Sequence, residues 1–391
     1  MKKICVVTTT RADFGVLSPV IKQLHNDTNI DLKILVSGTH LMKNFGYTIN
    51  EITSCGYKKN IIELPIGKFS SEADIFQKTF KIFNKKLRAI KPDCVIVLGD
   101  RYEILAVASV CLLLNIPVAH ISGGDVTFGA IDDACRHSIT KLSNIHFTGN
   151  EDMRKRVIQL GEQPNTVFNV GETGVENILK TQLMSFAEFR QSLNLHNLEE
   201  KKYCIVTYHP ETLSNISPID QIKWLLDFLK NNSEFHYIIT KANIDCGGEQ
   251  INQYIKQFVK ECKNITFIDS LGFKRYLSGV KYCAMVIGNS SSGIIEVPYF
   301  EVPTINIGNR QEGRMQSNSI LNCNLLDDKQ LNSIFEIAKS KKFLESCKNC
   351  KKLYGDGNSS QIIVEKIKEF LDNKPQKKKI FYDLKGVKWD T

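Results

Sequence analysis

Apolar runs of about four to six residues recur along this chain, and between them lie longer stretches whose apolar positions repeat with helical spacing. In the first half the runs predict strands over 4–8, 32–37, 94–99, 118–121, 145–148 and 167–170. Helical patterning predicts helices over 14–24, 74–90, 103–114 and 132–142 between them. Apolar strands alternating with amphipathic helices are the pattern of a parallel sheet, whose crossover helices cover both faces. After a polar patch at 194–202 the rhythm restarts, with strands predicted over 203–208, 236–240, 265–268, 285–288 and 304–307. Toward the C-terminus, 359–371 has the pattern of an amphipathic helix opened by Ser359 and Ser360, followed by a lysine-rich tail with Ile380, Phe381, Tyr382 and Trp389.

The expected fold class is therefore α/β: two Rossmann-like doubly wound domains with a central cleft. A chain of 391 residues suits two cores better than one. With the hinge placed at 171–174, the N-terminal domain spans 1–170 and the second domain 171–357. Residues 358–391 are expected to form a C-terminal helix and tail packing back on the first domain. Doubly wound sheets bind ligands beyond the C-terminal ends of their strands, so the residues that follow each strand are the candidates for chemistry.

Composition narrows the function classes. Hydrophobic residues make up 42% and charged residues 24%, which is globular. No run approaches the ~18 apolar residues of a membrane span; the longest, 104–118, is interrupted by Ser109, Asn115 and Pro117. The apolar run at 4–7 is too short for a signal peptide, so a cytoplasmic location is expected. The 12 cysteines are scattered, and the close pair Cys347 and Cys350 lacks a second pair or histidines, so no metal is expected. A net charge of +9 suits an anionic ligand. Nucleic-acid binding would want basic residues interleaved with aromatics, which no segment shows. Neither nucleic acid nor membrane is an expected partner.

The segment after the first strand, Thr8-Thr9-Thr10-Arg11-Ala12-Asp13, lacks the Gly-x-Gly-x-x-Gly of a dinucleotide site, which disfavours NAD. No Walker-type lysine loop appears either, so no cofactor is expected. Arg11 stands where a ligand phosphate would approach, while Asp13 either caps the next helix or meets substrate. Asp100 emerges from the strand at 94–99 with Arg101 beside it, as a general acid/base or as half of an ion pair. His120, Gly123, Gly124, Asp125, Asp132, Asp133, Arg136 and His137 crowd one loop and one helix turn. One of the paired aspartates suits an N-cap, yet the density of polar groups marks an active site. In the second half His209-Pro210 ends a strand. Gly288-Asn289-Ser290-Ser291-Ser292-Gly293 resembles a diphosphate cradle at a helix start, and Glu296 beyond it can accept from ribose hydroxyls. Arg310 lies on a glycine-bounded loop, and Asn243 joins the substrate-binding set.

These segments stand in one order: Thr10 to Asp13, Gly99-Asp100-Arg101, His120 with Gly123-Gly124-Asp125, Ile131-Asp132-Asp133 with Arg136-His137, His209-Pro210, Gly288 to Gly293, and Gly308 to Arg314. The series resembles the UDP-N-acetylglucosamine 2-epimerase superfamily, in particular its hydrolysing branch in bacterial sialic- and legionaminic-acid pathways. The resemblance extends over nearly the whole chain, to about Leu371. It implies the glycosyltransferase-B architecture, a homodimer, and a UDP-amino sugar substrate handled without nicotinamide. It also implies that UDP leaves C1 as the C2 proton is removed, and that water then adds to the 2-acetamidoglucal with inversion at C2. The products expected are N-acetylmannosamine and UDP from UDP-N-acetylglucosamine. The same reaction on UDP-2,4-diacetamido-2,4,6-trideoxyglucose is the alternative.

By position, Asp100 and Asp132 resemble the family's acid/base carboxylates, with Asp125 third and His209 beside the leaving group. Arg11, Asp13, Arg101, His120, His137, Asn243, Ser290, Ser291, Glu296 and Arg310 form the implied substrate-binding set. One departure stands out: many hydrolysing members carry a glutamate two residues after the first histidine, where this chain has Ser122. A non-hydrolysing epimerase, a glycosyltransferase of the same architecture and a pure binding module are the competing readings. A UDP-linked product would mark the first and UDP release only with an acceptor the second, while the convergence of so many titratable residues on one cleft disfavours the third.

Overall fold

Successive side chains of a strand point to opposite faces of the sheet, and in a strand buried on both faces each set enters its own core, as β1 (Lys2–Thr8) shows. Ile4 and Val6 pack into one core with the helix Arg11–Asn26, while Cys5 and Val7 pack into another with Phe83, Leu87 and Ile104. The chain is described here as a computed structural model covering residues 1–43, 46–127, 131–211, 214–242, 247–373 and 379–384. Two further strands flank β1, namely β2 (Ile30–Val36) and β3 (Ile61–Glu63). On the other side stand β4 (Cys94–Leu98), β5 (Val118–Ile121), β6 (Ile145–Thr148) and β7 (Val167–Asn169). These pair in the order β3-β2-β1-β4-β5-β6-β7, all parallel.

The second sheet repeats the plan with β8 (Tyr203–Thr207), β9 (His236–Thr240), β10 (Ile265–Ile268), β11 (Met285–Gly288), β12 (Thr304–Ile307) and β13 (Ile320–Cys323). Its order is β10-β9-β8-β11-β12-β13, again parallel. Alternation along β8 again splits the cores, Cys204 and Val206 to one face and Tyr203 and Ile205 to the other. Both sheets reverse strand order beside their first strand, at β1/β4 and at β8/β11. Those switch points are where a doubly wound sheet opens a crevice.

The strands expected from the sequence are all present, with β3 and β13 added to them. β3 is three half-exposed residues at a sheet edge, too short and too wet to register as an apolar run. The chain divides into two units. Among the described residues, unit 1 takes Met1–Val126, 131–179 and the segment from Tyr354 onward; unit 2 takes Thr127 and Lys180–Leu353. The crossing lies later than the 171–174 hinge expected from the sequence. The helix Thr173–Lys180 buries Val175 and Ile178, and its buried Glu176 accepts from the Ser360 N–H (2.7 Å) and hydroxyl (2.6 Å). Those contacts hold it in unit 1.

The return segment completes unit 1. The helix Ser359–Asp372 buries Ile363, Val364 and Ile367 in the core that contains Ile4 and Val6. Further on, Lys379 donates to the carbonyls of Lys141 and Ser143 (both 2.6 Å) at the end of the helix Ile131–Leu142. It also pairs with Glu162 at 2.7 Å. Burial opposes ionisation of Glu162, but His146, Lys379 and Lys141 around it hold the carboxyl down at about 2. Phe381 lies against Gly161, and the Tyr382 N–H donates to the Gly161 carbonyl (2.9 Å).

Gly288 ends β11 at φ +135, and a side chain there would collide with the Thr207 carbonyl of the neighbouring strand. Gly288→Ala is expected to cost about 1–3 kcal/mol from backbone conformation alone, and more from the collision. Urea unfolding of the two proteins measures the difference.

Candidate active site

In unit 1 the strand ends converge on one buried cation. Arg136, on the helix Ile131–Leu142, is 2% exposed. Its guanidinium donates to the Asp100 carboxylate beyond β4 and to the Asp125 carbonyl beyond β5 (3.1 Å). Asp133, one turn back on the same helix, stands 3.6 Å from it. Asp132 and Asp133 are half-buried in the helix's first turn, where carboxylates are favoured. His137 Nε2 lies 3.4 Å from Asp133, and burial keeps the ring's pKa below the ordinary value. Asp125 is only 8% exposed, too enclosed to be the first choice for proton transfer.

Several predicted ligand residues turn out to be committed elsewhere. Asp13 closes a capping box: its carboxylate accepts from the Thr9 N–H (3.2 Å), the Thr9 hydroxyl (2.8 Å) and the Thr10 N–H (3.0 Å). Of the two roles left open for it, the cap is the one realised. Arg101 forks onto Glu103, with Nε and Nη2 at 3.1 and 2.9 Å from its two oxygens, so its charge organises the loop. His120 is wholly buried, with Nε2 2.8 Å from the Gly99 carbonyl and Nδ1 3.2 Å from the Thr140 hydroxyl. Burial pulls its pKa down to about 3, so the neutral ring donates to Gly99 and braces the turn before Asp100. Arg11 is half-exposed at the start of its helix, with Nε 3.0 Å from Glu51.

Unit 2 is organised by a residue quoted only as part of a motif, Asn289. It is fully buried, accepts from the His209 N–H (2.7 Å) and donates to the His209 carbonyl (2.8 Å). Its own carbonyl accepts from Gln311 Nε2 (2.8 Å) and Arg310 Nη1 (3.4 Å). One amide thereby ties the ends of β8, β11 and β12 together. Glu211 does similar work: its Oε1 accepts from the backbone N–H groups of Asn309 (2.7 Å) and Arg310 (3.3 Å). Burial, assisted by the nearby Arg310 charge, pulls His209 down to about 3. It is therefore a neutral ring.

The serine run behaves partly as expected. Ser290 is an N-cap, accepting from the Ser292 N–H, but the helix it starts, Ser291–Ile295, is only five residues long. Its dipole is correspondingly small, so any anion here would depend on hydroxyls and Arg310 more than on helix amides. The Ser292 hydroxyl donates to Glu296 and lies 2.8 Å from the Tyr276 hydroxyl. Burial raises the Glu296 pKa. Asn243 lies outside the described residues. Among the described residues no three metal-ligating side chains cluster, and the cysteines are free thiols.

The sequence pattern of UDP-N-acetylglucosamine 2-epimerases matches residues 22–368. This chain belongs to that family. A relative from Campylobacter jejuni, named GDP/UDP-N,N'-diacetylbacillosamine 2-epimerase (hydrolyzing), is 40% identical over 88% of this chain and 89% of its own length. The polysialic acid biosynthesis protein P7 of Escherichia coli is 37% identical over 98% of each chain. Among solved structures, the UDP-GlcNAc 2-epimerase of Neisseria meningitidis bound to UDP-GlcNAc superposes with a TM-score of 0.82. It covers 94% of this chain and 100% of its own at 19% identity, so the two share the glycosyltransferase-B type fold of two parallel-sheet units.

The family member's buried imidazoles set a pH dependence. Burial holds His120 and His209 at about 3 and His40 at about 4. The unfolded chain protonates such rings below about 6.5. Stability is thus fully present above about 6.5 and falls as pH drops toward 4, by up to ~1.4 kcal/mol per pH unit for each ring. His120→Gln should be less stable at pH 7 yet show a slope flatter by one proton between 6.5 and 4. Urea unfolding at stepped pH values reads both.

Proposed function

We propose that this protein is a hydrolysing 2-epimerase that removes UDP from a UDP-2-acetamido sugar and releases the free C2-inverted sugar. The observation that carries the reading is the pairing of Asp100 with buried Arg136, and of Arg136 with a helix that opens on Asp132. Loss of the C2 proton needs a carboxylate base acting together with departure of a stabilised diphosphate, because C2–H is not acidic. The C2–H electron pair becomes the C1=C2 bond as the C1–O bond breaks and UDP leaves with its electrons. The resulting 2-acetamidoglucal gains a proton at C2 and a hydroxyl at C1 from water, whose other proton passes to a base and on to solvent. Inversion requires the proton to leave one face and return on the other, so two acid–base groups are needed, and Asp100 and Asp132 are assigned to them. Arg11 and His137 serve the same site.

In unit 2, His209, Ser290, Ser291 and Arg310 are assigned to the diphosphate and Glu296 to the ribose. Neutral His209 would act as a hydrogen-bond donor to the departing phosphate. UDP-N-acetylglucosamine is the first substrate, giving N-acetylmannosamine for a sialic-type acid. A second reading, UDP-N,N'-diacetylbacillosamine, is favoured by the 40% identity to the Campylobacter relative.

Incubation with UDP-N-acetylglucosamine in D₂O, followed by proton NMR, tests the reaction. Free N-acetylmannosamine with deuterium at C2, formed together with UDP, is expected. A product still carrying UDP would point to a non-hydrolysing enzyme, and no turnover with either nucleotide sugar would overturn the reading. Asp132→Asn should lower kcat by about 10²–10⁴-fold while UDP affinity stays within about twofold. Asn289→Ala should do the reverse. Losing its buried hydrogen bonds costs about 1–3 kcal/mol of stability and frees the His209 and Arg310 segments, so calorimetric titration should read weaker UDP binding and urea unfolding a lower stability.

A further inference from the structure

Three neighbouring strand ends in unit 1 meet at a carboxylate that the assignments above leave unused. Ser122 follows β5, Gly149 follows β6, and Glu172 lies just beyond β7. The Glu172 side chain runs back over β6, directly above Gly149. A methyl group added at Gly149 would sit 2.8 Å from the carboxyl carbon and overlap an oxygen. The Ser122 hydroxyl then donates to Glu172 Oε2 at 2.8 Å. Strands in a sheet are ~4.8 Å apart, so the carboxylate has been carried about two strand spacings, from β7 to β5. It therefore sits roughly one spacing from β4, the strand that leads into Asp100.

Two local features serve this delivery. Ser122 holds a left-handed backbone at φ +61, which a non-glycine residue adopts only when its surroundings require it. Gly149 leaves the gap through which the side chain passes. Glu172 itself is half-exposed, so water reaches it. A side chain needed only for stability would have little use for a carboxyl carried to the wet C-terminal edge of the sheet.

The hydrolysing reaction also requires one more proton acceptor than Asp100 and Asp132 provide. Inversion at C2 occupies two groups on opposite faces, and the water adding at C1 must lose a proton as well. We propose that Glu172 is this third catalytic carboxylate, the base for the hydration step, held in place by Ser122. As the water oxygen bonds to C1, its proton passes to Glu172, and the C1=C2 electron pair takes a proton at C2 from the acid on the other side. Glu172 then returns its proton to solvent, and the acid regains one. The assignment rests on the hydrolysing-epimerase reading.

Glu172→Gln in the full chain tests it, because glutamine keeps the shape and an acceptor for Ser122 but cannot take the proton. UDP release should stay within about tenfold of wild type, while formation of free sugar falls by 10²-fold or more and 2-acetamidoglucal accumulates in the NMR spectrum. Ser122→Ala, which keeps the carboxylate but removes its anchor, should accumulate the glucal to a smaller degree, with sugar formation reduced about tenfold. It decides the matter should the first variant fail to fold. Sugar and UDP both formed within about threefold of wild type, or both lost together without glucal, would overturn the role of Glu172 alone. Wild-type protein that releases no UDP would instead remove the epimerase reading on which the role rests.

Discussion

A buried guanidinium needs acceptors on every side, and in unit 1 the answer to that need shapes the edge of the sheet. Arg136 is drawn to Asp100 beyond β4, to the Asp125 carbonyl beyond β5, and to Asp133 on its own helix. Stripping away any of these would leave charge without compensation in a place water hardly reaches, a situation that costs several kcal/mol. The planar fork can bond two separate segments at once, which a lysine could not do. The loops after β4 and β5 are thereby fixed against the helix Ile131–Leu142, and the carboxylates on those segments acquire defined positions. Below them, neutral His120 bridges Gly99 and Thr140, so the same corner is braced from the core side.

Unit 2 solves the equivalent problem without charge. Asn289 carries both donor and acceptor, and it clamps the His209 backbone at two points while its carbonyl receives Gln311 and Arg310. A neutral amide suits this position because the ligand assigned there is an anion, and an ionised clamp beneath it would compete with the ligand for Arg310. Parallel pairing makes both arrangements possible. It brings every strand's C-terminal end to one edge, so residues distant in sequence become neighbours.

Most of the fold was legible because doubly buried strands are written as unbroken apolar runs, as β4 with Cys94–Leu98 shows. β3 was not legible, since a half-exposed edge strand of three residues carries no such pattern. The sequence crowding of His120, Asp125, Asp132 and Arg136 is matched in space, where Arg136 joins Asp100 to the Asp125 carbonyl and His120 braces Gly99. What sequence could not resolve was which polar groups face outward. His120 and Arg101 have the chemistry of ligands, yet one is sealed in the core and the other is held by Glu103. Asn289 reaches His209, 80 residues away, and Glu172 reaches Ser122, 50 residues away, and nothing in local spacing reports such contacts. The carboxylate at 172 stood in plain view only as part of an expected hinge.

Unit 1 is discontinuous, and this bears on how the chain is made. Its core is closed by Ile363, Val364 and Ile367, and its helix Ile131–Leu142 is met at the end by Lys379, all of them encoded after unit 2. Ribosomes add about 5–20 residues per second, so the roughly 170 residues of unit 2 take on the order of 10–30 s to synthesise. Throughout that interval the core around Ile4 and Val6 has the helix Arg11–Asn26 but lacks Ile363, Val364 and Ile367. The main segment of unit 2, Lys180 to Leu353, can finish folding while its predecessor waits. The order of completion is therefore the reverse of the order of synthesis, and the nascent first unit is the species most in need of chaperone cover.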